Sequence, residues 1–170
     1  MQCFAKSDRG AVRKENQDRA AGARIRRKGC VVGVVCDGMG GAAGGKLASE
    51  LAASTFLAQF RREMMAGSAV EPAMRHACDA ANRAVYEQSQ LSDDFTGMGT
   101  TLVAAWISRD LAVVINVGDS RAYHFTREDV RLITRDHSMV AYMVERGELT
   151  QEQAKLLSLI HISEPTRLLS

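Results

Sequence analysis

Two short acidic regions near the N-terminus contain the residue types that bind divalent cations. The first begins with Asp8-Arg9-Gly10 and continues through Arg13 to Asn16-Gln17-Asp18. The second is Asp37-Gly38, which directly follows the apolar run 31–36. A carboxylate at the end of a strand beside glycine loses little side-chain entropy on binding and leaves a neighbouring carbonyl accessible. Hard cations such as Mg²⁺ and Mn²⁺ prefer these oxygen ligands. The pattern therefore indicates a candidate cation site.

Arg13 lies five residues before Asp18 and adds a second kind of chemistry. Its planar guanidinium can bind a phosphate through two hydrogen bonds, a geometry for which Arg is better suited than Lys. Cation-binding carboxylates and a phosphate-binding arginine are the components of metal-assisted phosphoryl hydrolysis. Each feature alone has a simpler explanation, because an Asp-Gly pair after a strand is more often a turn and an arginine is more often a solvated charge.

The elements that would position these residues follow from the hydrophobic pattern. Residues 31–36 are apolar and rich in valine, which is typical of a strand buried on both faces. The glycine-rich segment 38–45 predicts a loop in which the backbone approaches a neighbouring group closely. Two helices should follow, the second over 71–90. The inner face of the first is predicted to consist of Leu47, Leu51, Thr55, Ala58 and Phe60.

The second half of the chain is predicted to be mainly β-structure, in the form of an antiparallel meander. The candidate strands, joined by short turns, are 100–107, 111–117, 121–126 and 130–134. Helices should follow over 137–146 and from Thr150, where Thr150-Gln151-Glu152-Gln153 has the form of a capping box. Because the helices follow one another without βαβ connections, the order favours an α+β layered fold over a doubly wound sheet.

The composition excludes several classes of protein. Hydrophobic residues make up 46% and charged residues 25%, and the formal net charge is +2, so neither a nucleic-acid partner nor an acidic tail is indicated. The four cysteines form no CxxC pair, which fits a reducing compartment. No apolar run approaches the ~18–20 residues that span a bilayer, so we expect a cytoplasmic protein without a membrane segment in this chain.

Five motifs follow one another between Asp8 and about Ala154. They are Asp8-x-Gly10-x-x-Arg13-x-x-Asn16-Gln17-Asp18, Val35-Cys36-Asp37-Gly38-Met39-Gly40-Gly41, Gly97-Met98-Gly99-Thr100-Thr101, Val117-Gly118-Asp119-Ser120-Arg121-Ala122-Tyr123 and Thr134-x-Asp136-His137-Ser138. In order and spacing they resemble the type 2C (PPM) metal-dependent Ser/Thr protein phosphatases of the bacterial branch. One such motif would be weak support, whereas five in register are strong.

This resemblance implies roles for the residues named above. Asp37 would bridge two metal ions, and the Gly38 backbone carbonyl and Asp18 would complete the shell of the second ion. Arg13 would clamp the phosphate, and Asp119 resembles the acid that bacterial relatives use at a third, more weakly held metal. The implied reaction is hydrolysis of phosphoserine and phosphothreonine in proteins by water activated by Mn²⁺ or Mg²⁺. The implied substrates are targets of Ser/Thr kinases, and the implied fold is a four-layer αββα sandwich with antiparallel sheets.

The sequence departs from the family pattern in two places. Met39 stands where many eukaryotic relatives carry a histidine proposed as general acid, and His137, the alternative, is better explained by a structural role at the strand-to-helix corner. The family also takes further aspartates from Asp-Gly and Asp-Asn segments downstream of the region present here. We therefore expect residues 1–156 to be the N-terminal part of a phosphatase domain, with an incomplete sandwich, exposed sheet edges and no activity by itself.

The last residues differ in character from the rest. Residues 157–167 read LSLIHISEPTR, without the patterning that precedes them, and resemble the translation of a sequencing-library adaptor. We predict that 157–170 is a non-native tail.

Two other functions stay open at this stage. The segment from Gly40 to Lys46 matches the GxxxxGK pattern of a P-loop after a strand, although Leu47 stands where a hydroxyl should bind Mg²⁺. A pseudophosphatase that binds phosphoproteins without turnover would fit if the full-length protein lacks the later aspartates.

Overall fold

A computed structural model describes residues 2–11, 15–25 and 29–154 of the 170-residue chain. Its elements in chain order are β1 (Asp18–Ile25), β2 (Cys30–Met39), α1 (Gly41–Ala66), α2 (Val70–Ser89), β3 (Gly99–Thr100), β4 (Leu102–Ile107), β5 (Ala112–Val117), β6 (Tyr123–Phe125), β7 (Val130–Leu132) and α3 (Met139–Glu145). Arg13 and the predicted tail from residue 157 lie outside the described residues. Within those residues, no helix is both long and apolar enough to cross a membrane.

The main sheet has the order β1-β2-β4-β5, and β3 also pairs with β2. Every pairing in it is antiparallel, which confirms the α+β prediction and the absence of βαβ connections in this sheet. Antiparallel pairing brings the start of β1, the end of β2, the start of β4 and the end of β5 to one side of the sheet. We call this row of strand ends the edge of the main sheet, and Asp18 and Asp37 lie on it.

The hydrophobic core lies between the main sheet and the two long helices. The largest fully buried side chains come from both layers and include Phe56, Phe60, Met74, Val32 and Val34. Each buried side chain of this size contributes about 1.5–3 kcal/mol relative to an exposed one. The helix pair therefore stabilises the sheet from one side and fixes the position of its edge.

The prediction that β2 is buried on both faces holds for only part of the strand, because Val31 is 7% exposed but Val35, on the same face, is not buried. Val34 is fully buried beneath the helices, whereas Val35, which points to the other face, is 49% exposed. The strand is covered by the helices on one side, and in the described part of the chain the second face lacks an equivalent layer over Val35. Unbroken apolar sequence thus signals a strand here, but the helices account for the burial of one face.

The predicted glycine loop after β2 is also corrected, because α1 begins at Gly41 and includes most of it. The buried face of α1 is formed by Ala48, Ala52, Phe56 and Phe60, whereas Ala58 is exposed. The predicted face was therefore rotated by about one residue, with Phe60 its only buried member. Small alanines let the helix lie close to the sheet, and the leucines pack at its flanks.

The second helix agrees with its prediction. It spans Val70–Ser89, and Met74, Ala81 and Val85 are buried at the expected spacing, with Cys78 partly buried beside them. The capping box at Thr150 is confirmed as well. The Thr150 N–H donates to Gln153 Oε1 (2.9 Å), and the Gln153 N–H donates to Thr150 Oγ1 (3.2 Å).

The predicted single meander is divided into two sheets. β4 and β5 pair as expected, but β6 pairs with β7 in a separate two-stranded sheet. The chain leaves the main sheet at Gly118, which has a φ of 95°, a conformation that favours glycine. The predicted strand over 100–107 is likewise interrupted at Thr101, whose backbone N–H donates to the Asp37 carbonyl (2.9 Å).

Candidate metal site

The structure brings Asp18 and Asp37 together at the edge of the main sheet. The two residues are register partners across the β1–β2 pair, so their backbones lie directly opposite each other. Both residues are exposed, and both line the same cleft. Sequence separation between them is 19 residues, and only the antiparallel hairpin makes them neighbours.

The cleft has a volume of about 190 Å³ and is strongly acidic. The residues that line it are Asp8, Arg9, Glu15, Asn16, Gln17, Asp18 and Asp37. Four carboxylates face one guanidinium, so the potential in the cleft favours cations. Carboxylate and amide oxygens are the donor set that Mg²⁺ and Mn²⁺ prefer, so the chemistry of the cleft fits these ions.

The described residues do not complete a metal site by themselves. Among them, no group of three or more His, Cys, Asp or Glu side chains is close enough to hold an ion. Asp18 and Asp37 therefore form a pair of candidate ligands rather than a full shell. Glu15, which also lines the cleft, was not predicted as a site residue, although its position next to the Asn16-Gln17-Asp18 motif could have indicated it.

Hydrogen bonds within the segment before β1 fix the approach to Asp18. The Asp18 N–H donates to Asn16 Oδ1 (3.0 Å), and Asn16 Nδ2 donates to Ser7 Oγ (2.7 Å). The Gly10 N–H donates to the Asp8 carboxylate (2.8 Å). Before β1, these side-chain bonds take the place of the regular backbone hydrogen bonds between strands, which begin at Asp18.

Gly38 allows α1 to pack directly against the end of β2. A Cβ atom at this position would lie 1.9 Å from the Gly45 carbonyl oxygen and 2.9 Å from the Gln17 carbonyl oxygen. The Gly38 N–H donates to the Gln17 carbonyl (3.2 Å), and the Gln17 side chain donates to the Gly41 carbonyl (2.5 Å). The glycine cluster therefore serves close backbone packing, as predicted, although within a helix rather than a loop.

The backbone of Asp37 is held by two consecutive threonines. Its N–H donates to Thr101 Oγ1 (3.0 Å), and its carbonyl accepts from the Thr101 N–H (2.9 Å) and from Thr100 Oγ1 (3.0 Å). All three bonds connect segments more than 60 residues apart in sequence. They fix the strand end on which the Asp37 carboxylate stands.

Asp119 lies at the same edge of the sheet, in the turn that follows β5, and is exposed. Ser120, the next residue, places its Oγ 2.6 Å from Thr101 Oγ1. Thr101, which binds the Asp37 backbone, therefore also contacts Ser120, the residue that follows Asp119. Arg13 lies outside the described residues, so its predicted role stays a prediction. The ligand roles of Asp18, Asp37, the Gly38 carbonyl and Asp119 also stay predictions.

Cys36, which precedes Asp37, is unsuited to act as a nucleophile. Burial, and to a lesser extent nearby Cys78, raises the pKa of its thiol to about 12, and the Thr100 hydrogen bond opposes this rise only in part. The thiol is therefore neutral at physiological pH. His137 is not among the residues that line the cleft, and its backbone N–H donates to the Gly118 carbonyl (2.9 Å), beside the turn that carries Asp119.

The P-loop alternative gains no support from the local structure. Gly41 to Lys46 form the first turns of α1, so they do not make the extended loop whose N–H groups surround a phosphate. The GxxxxGK match instead reflects the small residues needed for close packing on Gly38.

Comparisons with known proteins give a consistent result. Residues 10–162 match the family described as Protein phosphatase 2C, six residues further than the predicted domain end at 156. The chain is 32% identical to the serine/threonine phosphatase stp of Listeria welshimeri over 156 residues, which is 91% of the chain and 62% of that protein. It is 35% identical to the serine/threonine protein phosphatase PstP of Mycobacterium tuberculosis over 151 residues, or 88% of the chain and 28% of that protein.

Solved structures show the same likeness in three dimensions. The crystal structure of the catalytic domain of PstP in complex with two manganese ions matches with a TM-score of 0.73 and 34% identity, covering 88% of this chain and 61% of that chain. The chain thus spans less than two thirds of the length of the Listeria protein and of this crystallised domain.

Proposed function

Since this chain belongs to the protein phosphatase 2C family, we propose that the full-length protein hydrolyses phosphoserine and phosphothreonine in proteins and requires Mn²⁺ or Mg²⁺. The observation that carries this proposal is the pairing of Asp18 with Asp37 at the wall of an acidic cleft. The pairing unites the two acidic motifs that the sequence separates.

The candidate ligands divide into two groups. Asp37 and Asp18 would hold two ions together with the Gly38 carbonyl, and Asp119 would contribute to a third. Bound cations lower the pKa of water and offset the negative charge of a phosphoryl group. Arg13 would bind the phosphate oxygens through its planar guanidinium.

The protein's own contribution is to hold these groups in place before substrate arrives. The threonine bonds fix the Asp37 backbone, and the Gly38–Gly45 contact anchors the strand end against α1. Positioning of this kind lowers the entropic cost of reaching the reactive geometry. Met39 cannot donate a proton, so the leaving serine or threonine oxygen must receive its proton from water or from a group elsewhere.

The 170-residue chain by itself is proposed to bind metal weakly and to hydrolyse substrate slowly or not at all. Support comes from the described residues, which contain a pair of candidate carboxylates but no group of three potential ligands. Two dications held by so few carboxylates would dissociate readily.

The proposed substrates are targets of Ser/Thr kinases. A cytoplasmic location is supported by the four cysteines, which are free thiols.

The small number of candidate ligands among the described residues also favours one alternative function, a domain that binds phosphoproteins without turnover. Such a protein would retain affinity for a phosphopeptide but would show no metal-dependent release of phosphate. The two functions therefore separate in a single assay.

The test is release of inorganic phosphate from a phosphothreonine peptide by the full-length protein, with the 170-residue chain measured in parallel. We expect activity in Mn²⁺ or Mg²⁺, none in EDTA, and a loss of orders of magnitude in Asp37→Ala. The matched control is Asp110→Ala, an exposed aspartate in the turn at the opposite end of the sheet. Full activity in EDTA or in Asp37→Ala would contradict the proposal.

A further inference from the structure

The geometry points to Thr101 and Ser120 as positioning residues that couple Asp119 to the strand end carrying Asp37. This inference rests on the proposed function, because it concerns the relative placement of two of its candidate ligands. It goes further in assigning a role to two hydroxyl groups that do not themselves face the cleft lined by Asp18 and Asp37.

Thr101 is the residue at which β3 and β4 are separated, and the separation frees it for other bonds. Its N–H donates to the Asp37 carbonyl (2.9 Å), while its Oγ1 accepts from the Asp37 N–H (3.0 Å). Thr101 thus binds both backbone groups of one residue and is half-buried while doing so. A substitution that removes only the hydroxyl would leave the Asp37 N–H without this acceptor.

The same hydroxyl also contacts the turn that carries Asp119. Thr101 Oγ1 lies 2.6 Å from Ser120 Oγ, and either group can be the donor. Because Oγ1 already accepts a bond from Asp37, its own proton is available for Ser120. One oxygen therefore connects the β2 end to the β5–β6 turn.

Gly118, on the other side of Asp119, is held against the same threonine. A Cβ atom on Gly118 would lie 2.8 Å from Thr101 Cγ2, so only glycine allows the turn to approach this closely. The Gly118 carbonyl accepts from the His137 N–H (2.9 Å) and from Asn116 Nδ2 (3.2 Å). The turn is thus anchored immediately before and immediately after Asp119.

These contacts imply that Asp119 cannot shift relative to Asp37 unless the Thr101–Ser120 contact is lost. The exposed Asp119 carboxylate can still rotate about its side-chain bonds. The position of the Asp119 Cα atom, however, is set by Gly118 and Ser120, which both pack on Thr101. A purely structural role would stabilise the fold without changing cation affinity. A positioning role would change cation affinity through Asp119, and this difference can be measured.

The experiment is a titration of the intact 170-residue chain with Mn²⁺, following free Mn²⁺ by its electron paramagnetic resonance signal. Ser120→Ala is expected to weaken binding about 3- to 10-fold, as for the loss of one hydrogen bond. Thr101→Val should weaken it at least as much, and adding Ser120→Ala or Asp119→Asn to Thr101→Val should change little further. Thr101→Ser, which keeps the hydroxyl, should bind within about 2-fold of the wild type.

Urea unfolding of each variant shows whether it is folded, and Ser54→Ala, an exposed helix hydroxyl, is the control. If Thr101→Val does not fold, the comparison of Ser120→Ala with Thr101→Ser decides the question. Unchanged affinity in Ser120→Ala, or additive effects of Asp119→Asn and Thr101→Val, would overturn the inference. Binding that is lost in Asp37→Asn but unchanged in Ser120→Ala would contradict the positioning role alone. Binding unaffected by Asp37→Asn would contradict the proposed cation site as well.

Discussion

At the scale of single residues, the contact between Gly38 and Gly45 determines how the site is built. The Gly38 position has no room for a side chain because the α1 backbone occupies the space where a Cβ atom would lie. The contact places the first turns of α1 beside the end of β2. The backbone that carries Asp37 is consequently held by the helix on one side and by Thr100 and Thr101 on another.

We predict that Gly38→Ala lowers the free energy of unfolding by about 3 kcal/mol or more, because the new methyl group would meet backbone atoms that cannot move aside cheaply. Gly33→Ala, in the same strand, is the matched control. Its Cβ atom would have one neighbour within 4 Å, the Ala21 carbonyl oxygen at 3.9 Å, so its effect should stay within about 1 kcal/mol. Urea unfolding measures both. Equal stability of the two variants would contradict the packing argument.

The sequence predicts some residues of the candidate site and not others, for a physical reason. Asp18 and Asp37 could be proposed because each adjoins a recognisable local pattern and each lies in one of the five motifs that follow in register. The role of Thr101 could not be predicted in this way, because its bonds to Asp37 join segments 64 residues apart. Such bonds depend on strand register, which local hydrophobicity does not specify at the level of one hydroxyl group.

At the scale of elements, the joint between α1 and α2 is organised around one carboxylate. Glu63 Oε2 accepts from Ser68 Oγ (2.6 Å), and Oε1 accepts from Gln59 Nε2 (3.0 Å) and lies 3.3 Å from His76 Nδ1. These bonds connect the end of α1, the connecting turn and α2. The Ser68 hydrogen bond is the main cause of a lowered Glu63 pKa, which partial burial opposes and the His76 and Gln59 bonds reinforce.

Because the pKa of Glu63 is lowered in the folded chain, the direction in which stability changes with pH follows from it. The ionised carboxylate stabilises the folded chain above about pH 4.5, the ordinary value for glutamate, and this contribution is lost as the pH falls through the lower folded-state pKa. Glu63→Gln should therefore lower the urea midpoint at pH 7, and the difference from the wild type should shrink at pH 3. Glu50→Gln, an exposed carboxylate on the same helix, should have little effect at either pH. A Glu63→Gln difference that is the same at both pH values would contradict this account.

Whether a segment forms a helix or a strand was predicted better than which face of a helix is buried and which strands pair. The α2 helix and its buried face agree with the periodicity, whereas the buried face of α1 was predicted about one residue away from its true position. Alanines at 48 and 52 are buried because close packing needs small residues, and a hydrophobicity pattern gives more weight to the neighbouring leucines. The separate β6–β7 sheet was not predicted because the turn at Gly118 resembles any short hairpin turn in sequence.

At the scale of the whole molecule, one face of the β6–β7 sheet is apolar and exposed. Register pairs Tyr123 with Leu132 and Phe125 with Val130, so the four side chains share this face. Phe125 is 69% exposed and Val130 is 56% exposed. Exposed apolar faces on short sheets promote association between molecules.

We therefore expect the 170-residue chain to self-associate as its concentration rises. The double variant Phe125→Thr, Val130→Thr should shift sedimentation velocity profiles toward the monomer, because threonine keeps the preference for a strand but removes most of the apolar surface. Leu91→Thr, which removes an exposed leucine elsewhere, is the control and should leave association unchanged. Identical association of the double variant and the wild type would exclude this face as the cause.

We propose that Asp18 and Asp37 together bind a divalent cation at one edge of the main sheet. Paramagnetic broadening can locate this ion: amide signals of the intact ¹⁵N-labelled chain are followed while Mn²⁺ is added in substoichiometric amounts. The signals of Asp18, Gly38 and Thr101 should broaden first, those of the opposite turn near Asp110 should not, and Asp37→Asn should remove the effect. Broadening that spares the Asp18–Asp37 edge, or that persists unchanged in Asp37→Asn, would show that the two carboxylates do not bind the ion.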